Sequence, residues 1–268
     1  MNKYHTSPST SQSNLYDSSI FRSTSPLPPP ATTRYCLPAT TKSYKYLRKL
    51  VKFNQMDFEF AMWQMIYLFI APQKLYRNFS YRKQTKSQFA RDDPAFLVLL
   101  IVCLFVTSIG FTWTLGLSFG QTVYCIFYIV FFDFIFTGIL VTTFTWFFTN
   151  RYLRGSSTDA DIEWGYCFDV HLNAFFPPLV LLHFVQLIFF NILINSESFF
   201  SRFFGNTIWL IAIFYYIYIT FLGYNCIPFM KNSRIILAPL PIIVLLYILT
   251  LIIGWNITIT FVNFYAAI

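Results

Sequence analysis

Five long runs of apolar residues follow residue 94, and short segments with polar residues or prolines separate them. A helix needs about 20 apolar residues to cross a bilayer core about 30 Å thick, and each run is long enough. The pattern predicts an all-α, polytopic helical membrane protein with five transmembrane helices. The predicted spans are about 95–115, 121–148, 173–194, 205–227 and 235–255.

A shorter apolar segment precedes the first span. In Phe58–Ile70 only Glu59 and Gln64 are strongly polar, and thirteen helical residues measure only about 20 Å. We expect this segment to lie in the membrane interface, to re-enter the membrane or to pack on other helices. Asn54 or Asp57 is the predicted cap at its start, and Pro72 helps to end it.

The connections between the spans differ in length. The longest predicted loop is 150–172, and shorter loops are predicted at 195–204 and 228–234. The terminal segment 256–268 carries no charged side chain and is predicted to be a tail. Tryptophans 113, 146, 209 and 255 fall near predicted span ends, as in the aromatic belts of membrane proteins.

The N-terminal part of the chain has a different composition. Residues 6–41 contain 21 Ser, Thr or Pro among 36 positions, a composition that cannot bury a core and predicts disorder. The predicted organisation is therefore a disordered tail at 1–43, a basic amphipathic segment at 44–94 and a membrane domain at 95–268.

Charge strengthens the membrane prediction and orients the chain. The sequence is 56% hydrophobic and only 11% charged, which excludes an ordinary soluble domain. Of the 19 Lys and Arg, 14 lie before residue 95, and of the remaining five only Arg202 falls on the opposite side of a five-span chain. The positive-inside rule then places the N-terminus in the cytosol and the C-terminus in the lumen.

A basic surface is predicted next to the membrane domain. Such segments bind anionic lipid headgroups or acidic partners, although simple packing and orientation would explain the same charges. The candidate residues for a partner or lipid surface are Lys74, Arg77, Arg82, Lys83, Lys86 and Arg91.

Two ionisable residues fall inside predicted spans. Asp133 and His183 are costly in lipid and are functional candidates for that reason. They can form a proton or ion path, as in a transporter or channel, or a neutral contact between helices, which we favour because two such groups are few. Among the other polar residues of the spans and their ends, Gln186, Asn191, Asn206 and Thr207 are expected to add hydrogen bonds between helices.

The sequence contains no constellation typical of catalysis, and the prediction is a non-enzyme with no cofactor and no metal site. A metal site near Cys167, Asp169 and His171 is the alternative that we considered, with Glu163 close by. Their spacing fits no standard site. The simpler interpretation is an acidic, aromatic loop that docks on the basic segment 74–91.

Three long strings of sequence resemble one family. They are KYLRKLVKFNQMDFEFAMWQMIYLFIAPQKLYRNFSYRKQTKSQFARDDPAF (45–96), EWGYCFDVHLNAFFP (163–177) and GNTIWLIAIFYYIYITFLGY (205–224). These strings are similar to the Unc-fifty (UNC-like) family of eukaryotic membrane proteins, in the same order. The resemblance covers the chain from about residue 44 onward.

The resemblance implies a five-span protein of the Golgi membrane, with an inner nuclear membrane location also described for the family. It implies a role in trafficking or assembly of cell-surface receptors, with nicotinic acetylcholine receptor subunits as cargo and Arf guanine-nucleotide exchange factors as partners. Membrane lipids are a further expected partner. RNA binding by the basic segment is the remaining alternative, which we rank below the transporter because no RNA-recognition module is visible.

Overall fold

The computed structural model describes residues 46, 48, 50, 56–78, 93–153, 161–228 and 230–267. Helix α1 spans Phe58–Ile70, and a further helical stretch covers 72–78. The longer helices are α2 (Ala95–Thr114), α3 (Phe119–Leu153), α4 (Trp164–Ile194), α5 (Phe199–Asn225) and α6 (Ser233–Ile253). A final short helix, α7, spans Ile257–Ala267.

Helices α2 to α6 are each long and apolar enough to cross a membrane, and the described residues form no β-strand. In four of the five helices about two thirds of the most apolar window remains unburied, and in α6 nearly all of it does. Apolar side chains that face outward are stable in lipid and not in water. The predicted class, an all-α polytopic membrane protein, is therefore confirmed.

Helix α1 begins where its sequence predicts. The side chain of Asp57 accepts a hydrogen bond of 2.9 Å from the backbone N–H of Phe60, which makes Asp57 the cap. The buried residues of α1 are Ala61, Gln64, Met65 and Leu68. Their spacing is that of one helical face, and this face packs on α2 and α4. Of the expected positions of this segment, packing on other helices is the one observed.

The prediction of a loop over 150–172 is wrong at both of its ends. Helix α3 continues to Leu153, and α4 already begins at Trp164. Tyr166, Cys167 and Val170 are buried in one cluster with Tyr224 and Ile227. A polar sequence near a span end predicts a loop, but this contact with the end of α5 stabilises two more helical turns.

Two other predicted connections are also partly helical. Helix α5 begins at Phe199, inside the predicted loop 195–204, because the side chain of Ser198 accepts from the N–H of Ser201 and caps it. The predicted tail 256–268 is a helix over most of its length, α7. Eleven residues measure only about 16 Å, so α7 does not cross a bilayer.

The two ends of the helix bundle are different in construction. The near end holds the start of α2, the segment between α3 and α4, and the turn between α5 and α6. The far end holds the turns 115–118, 195–198 and 254–256. Helix α2 has 20 residues, about 30 Å, whereas α3 has 35 and α5 has 27. With their far ends close together, the longer helices extend beyond α2 at the near end.

Segment α1 and stretch 72–78 occupy the space that the shorter α2 leaves. The hydroxyl of Tyr215 donates a bond of 2.7 Å to the carbonyl of Phe69, and the side-chain amide of Gln73 donates one of 2.6 Å to the hydroxyl of Tyr218. Both tyrosines lie on α5, about 10–15 Å before its end at Asn225. The near end is therefore a layer of protein built on top of the five-helix bundle.

Helices α4 and α5 approach each other closely in this layer. A Cβ added at Gly223 would lie 2.8 Å and 2.9 Å from the two methyl carbons of Val170. A valine side chain in a helix is confined to one rotamer, so it cannot turn away. Glycine at 223 is what permits this approach, and the hydroxyl of Tyr166 donates a bond of 2.5 Å to its carbonyl.

Candidate functional site

The outer side of α1 is apolar and aromatic and faces away from the protein. Met62 and Trp63 are each 53% exposed, and Ile66, Tyr67 and Ile70 are exposed beside them. The ring centroids of Trp63 and Tyr67 are 6.0 Å apart. Aromatic side chains on a helix of this length are typical of the boundary between headgroups and acyl chains.

Two of the predicted basic residues follow directly on this helix. Lys74 and Arg77 are exposed on stretch 72–78, while Leu75 and Tyr76 between them are buried. The hydroxyl of Tyr76 accepts a bond of 3.2 Å from the side-chain amide of Asn173 on α4. Burial of Leu75 and Tyr76 therefore fixes the two basic side chains outward. We call the exposed side of α1 together with Lys74 and Arg77 the near-end surface.

The remaining predicted basic residues, Arg82, Lys83, Lys86 and Arg91, lie outside the described residues, as do the tail 1–43 and the cap candidate Asn54. Their role in a partner, lipid or RNA surface stays a prediction. The other described basic residues of the near end are Arg151, Lys231 and Arg234.

Asp169 and His171 belong to the packed interior of the near end. Both are buried, and Nδ1 of His171 lies 2.8 Å from the hydroxyl of Tyr216. A Cβ on Gly138 of α3 would lie 3.0 Å from the other ring nitrogen, Nε2. Within the described part of the chain, no three His, Cys, Asp or Glu side chains gather as metal ligands. The arrangement is that of a hydrogen-bonded contact between helices.

Asp133 makes its contact with a residue that the sequence did not single out. The hydroxyl of Tyr265 on α7 donates a hydrogen bond of 2.5 Å to Oδ2 of Asp133, across 132 positions of sequence. Tyr265 also packs edge-on against Phe111 of α2, with ring centroids 5.6 Å apart. Asp133 therefore forms a contact between α3 and α7, and whether it has a functional or a structural role stays a prediction.

His183 lies apart from this pair, beside a cavity of about 90 Å³. Helices α2, α3, α4, α5 and α7 all contribute to its lining, which is mainly apolar and includes Tyr265. His183 and Trp209 both line this cavity, and Nδ1 of His183 and Nε1 of Trp209 are buried without a hydrogen-bond partner in the described chain. A buried polar atom without a partner costs about 1–3 kcal/mol.

The polar edge of the cavity is held by α7. The side-chain amide of Gln186 on α4 donates a hydrogen bond to the hydroxyl of Thr258, and both residues line the cavity. Val262 of α7 is buried against Phe190, Ile194 and Ile208. The short helix therefore closes one side of the cavity.

Hydrogen bonds across helices confirm most of the predicted polar contacts. The amide of Asn206 donates to the hydroxyl of Thr250 and to the carbonyl of Trp255, at 3.0 and 2.8 Å. The hydroxyl of Thr207 lies 2.9 Å from that of Tyr247. Asn191, in contrast, is exposed.

Trp209 and Tyr265 are the site residues that sequence reasoning missed. The sequence predicts Trp209 near a span end, in an aromatic belt, but α5 begins at Phe199, which moves Trp209 about three turns into the bundle. Tyr265 lies in the segment predicted to be a tail. The available signal was the apolar composition of 257–267, which is unusual for a tail in water.

The chain has close relatives among animal proteins. A sequence profile of the UNC-50 family matches residues 46–266. A protein unc-50 homolog of Drosophila melanogaster is 69% identical over 264 residues, which are 98% of this chain and 96% of the relative. A human protein unc-50 homolog is 55% identical over 228 residues, 85% of this chain and 88% of the relative. No solved structure matches the chain.

Five long apolar helices, with a layer of protein on one end of the bundle, define a multi-pass helical membrane protein. The family profile matches most of the chain, and the fly relative is 69% identical over nearly its whole length. The chain therefore belongs to the UNC-50 family.

Proposed function

We propose that the chain is a protein of Golgi membranes that assists the trafficking or assembly of cell-surface receptors and catalyses no reaction itself. The near-end surface is the observation that carries this proposal. It presents exposed aromatic residues on α1 and two exposed cations, Lys74 and Arg77, on stretch 72–78, and the bundle holds both in place. A fixed surface of this kind suits a docking site at the membrane boundary.

Charge supports the cytosolic position of this surface. The five described basic residues of the near end are Lys74, Arg77, Arg151, Lys231 and Arg234, and the far end has Arg202. Loops rich in Lys and Arg stay in the cytosol. Arg202 also has a local role, because its guanidinium donates to the carbonyl of Gly254 at 3.4 Å, at the end of α6.

The partners follow from the family resemblance. Arf guanine-nucleotide exchange factors act on the cytosolic leaflet, so a cytosolic near-end surface meets them directly. Nicotinic receptor subunits are the proposed cargo, and an inner nuclear membrane pool is a second proposed location. Anionic headgroups add affinity of about 1 kcal/mol per basic side chain close to the membrane.

Proximity labelling tests the proposal with a matched pair of variants. In the first variant Lys74→Gln and Arg77→Gln remove two exposed charges from the near-end surface. In the control, Lys231→Gln and Arg234→Gln remove two exposed charges from the same end, outside that surface. With a labelling enzyme at the N-terminus, we expect the first variant to label Arf exchange factors several-fold less and the control to label them normally.

The comparison requires that both variants reach the same membrane at equal abundance, as exposed substitutions on an intact bundle should. Surface delivery of a nicotinic receptor is the second readout and should fall only in the first variant. Equal labelling and equal delivery in both variants would show that the near-end surface does not recruit these partners.

A further inference from the structure

The depth of α1 in the membrane follows from its hydrogen bonds to the helices beside it. Leu115 just after α2, Ile194 at the end of α4 and Phe204 near the start of α5 pack in one cluster, so these three helices share one far end. Distance along a helix from that end therefore gives depth, at about 1.5 Å per residue. Tilt of a helix makes the true depth smaller.

The two ends of α1 lie at similar depths. At its start, the backbone N–H of Asp57 donates a bond of 2.9 Å to Asp93, just before α2 and about 30 Å from the far end. At its other end, the carbonyl of Phe69 accepts from Tyr215, which is sixteen positions after Phe199 and so about 24 Å from the far end. Because α1 is itself about 20 Å long, it lies nearly parallel to the membrane plane.

This depth places the outer side of α1 in lipid. The hydrocarbon core is about 30 Å thick, so α1 lies at the near-end boundary of the core and just inside it. Its buried face packs on α2 and α4, and the opposite face therefore points away from the bundle into the surrounding membrane.

The side chains on this outer face match the depth. Along α1, every residue of which the structure describes, the only charged side chain is Glu59, in the first turn and hence at the shallower end. Ile70, at the deeper end, is the most exposed at 77%. Trp63 and Tyr67 lie between them, and such residues are enriched where headgroups meet acyl chains.

The chain after α1 returns to the headgroup level. Tyr76 accepts its hydrogen bond from Asn173, which is 21 positions before the end of α4 at Ile194 and so about 30 Å from the far end. Lys74 and Arg77 are exposed on either side of Tyr76. The two cations are therefore level with the lipid phosphates, where basic side chains attract anionic headgroups.

We propose that α1 is an in-plane helix of the near-end leaflet, with its aromatic side against acyl chains and with Lys74 and Arg77 on the headgroups of anionic phospholipids. The proposal does not depend on the proposed function, because lipid contact requires no protein partner. It divides the near-end surface into two parts. Lipid covers the aromatic part, and a protein partner meets the basic part together with the headgroups.

The first test uses the purified full-length protein in phosphatidylcholine nanodiscs that contain a phospholipid with a photoactivatable group in its acyl chain. We expect labelled peptides from 60–70 and from α6, whose most apolar window is almost entirely unburied. The exposed residue Tyr152, near the end of the 35-residue helix α3, lies beyond the core and should stay unlabelled.

Labelling of α6 without labelling of α1 would overturn the proposal. The mass of the disc then shows whether a second copy of the chain covers α1 or whether its outer face is open to water.

The second test addresses the two cations. Native mass spectrometry of the protein released from discs of phosphatidylcholine and phosphatidylserine counts the phospholipids that stay bound. Lys74→Gln with Arg77→Gln should reduce the preference for phosphatidylserine about fivefold for each charge removed. The matched control exchanges the two residues, Lys74→Arg with Arg77→Lys, which keeps both charges and should keep the preference. An equal preference in the two double variants would overturn the assignment of these cations to headgroups.

Neither test contains an exchange factor or a receptor, so the results are independent of proximity labelling in cells. If the acyl-chain probe labels α1 while Lys74→Gln with Arg77→Gln leaves exchange-factor labelling normal, the lipid contact stands and the proposed recruitment fails. The reverse pair of results would retain the recruitment and remove the lipid contact.

Discussion

Asp133 illustrates how a single polar residue is accommodated inside this bundle. Its carboxylate is half-buried and accepts a hydrogen bond of 2.5 Å from Tyr265. The pair also links α3 to the short helix α7, which makes it a structural contact with a measurable cost when it is broken.

Tyr265→Phe should therefore lower the free energy of unfolding by about 1–2 kcal/mol, because the carboxylate of Asp133 keeps its place but loses its donor. Thermal melting in nanodiscs measures the loss. Asp133→Leu combined with Tyr265→Phe should recover part of it, since replacing both partners with apolar groups leaves no unpaired polar atom.

Tyr124→Phe, on the exposed side of α3, is the matched control for these variants and should change the free energy of unfolding little. If the double variant loses as much free energy of unfolding as Asp133→Leu and Tyr265→Phe lose together, the two side chains do not interact directly. An ion flux through reconstituted vesicles that Asp133→Asn abolishes would instead favour the transporter alternative.

At the scale of elements, α7 is the part of the fold whose position depends most on polar contacts. The turn before it is held by Asn206 of α5, which donates to Thr250 and to the carbonyl of Trp255 and accepts from the N–H of Ile257 at 3.0 Å. Asn256 adds a bond of 3.4 Å to the carbonyl of Ile194. Hydrogen bonds to backbone thus fix where the chain turns back into the bundle.

Asn206→Leu removes three of these bonds while keeping a side chain of similar size. We expect it to destabilise α7 in particular, by about 2–3 kcal/mol at roughly 1 kcal/mol per bond. Hydrogen–deuterium exchange should rise over 254–267 and stay unchanged in α2 and α3.

The exposed Asn263 offers the control, because Asn263→Leu changes the same residue type on α7 itself without touching the turn. Its exchange should match that of the unmodified protein. An increase spread evenly over all helices in Asn206→Leu would mean that α7 is no separate unit but melts with the bundle.

For the whole molecule, the asymmetry between the two ends is the dominant feature. The near end carries a packed layer and most of the charge, whereas the far end consists of three short turns. This arrangement predicts one orientation in the membrane, with the near end in the cytosol. The far-end residue Glu197 and the near-end residue Lys231 are both exposed and report on the two sides.

Labelling with an impermeant maleimide tests this orientation. In a Cys36→Ser background, Lys231→Cys should react in cells whose plasma membrane alone is permeabilised, and Glu197→Cys should react only after the internal membranes are opened. Cys125 and Cys167 are buried and should react slowly. Labelling of Glu197→Cys in place of Lys231→Cys would reverse the proposed orientation.

Much of this fold follows from local sequence. The five spans come from uninterrupted apolar runs, because the bilayer fixes the length that such a run needs. The start of α1 comes from Asp57, whose side chain caps the helix three residues away. The basic side chains Lys74 and Arg77 alternate with buried residues in a manner that the sequence of 72–78 already suggests.

Other features depend on contacts that no local pattern contains. An apolar segment at 257–267 is too short for a span, and contacts such as the hydrogen bonds of Asn206 hold it folded back into the bundle. The pairing of Tyr265 with Asp133 and the cavity that α7 helps to line depend on that turn. The sequence by itself determined the number and length of the membrane helices, because hydrophobic burial in lipid is a property of each run. Only the tertiary structure decided which polar atoms meet, because that depends on how helices more than a hundred residues apart pack together.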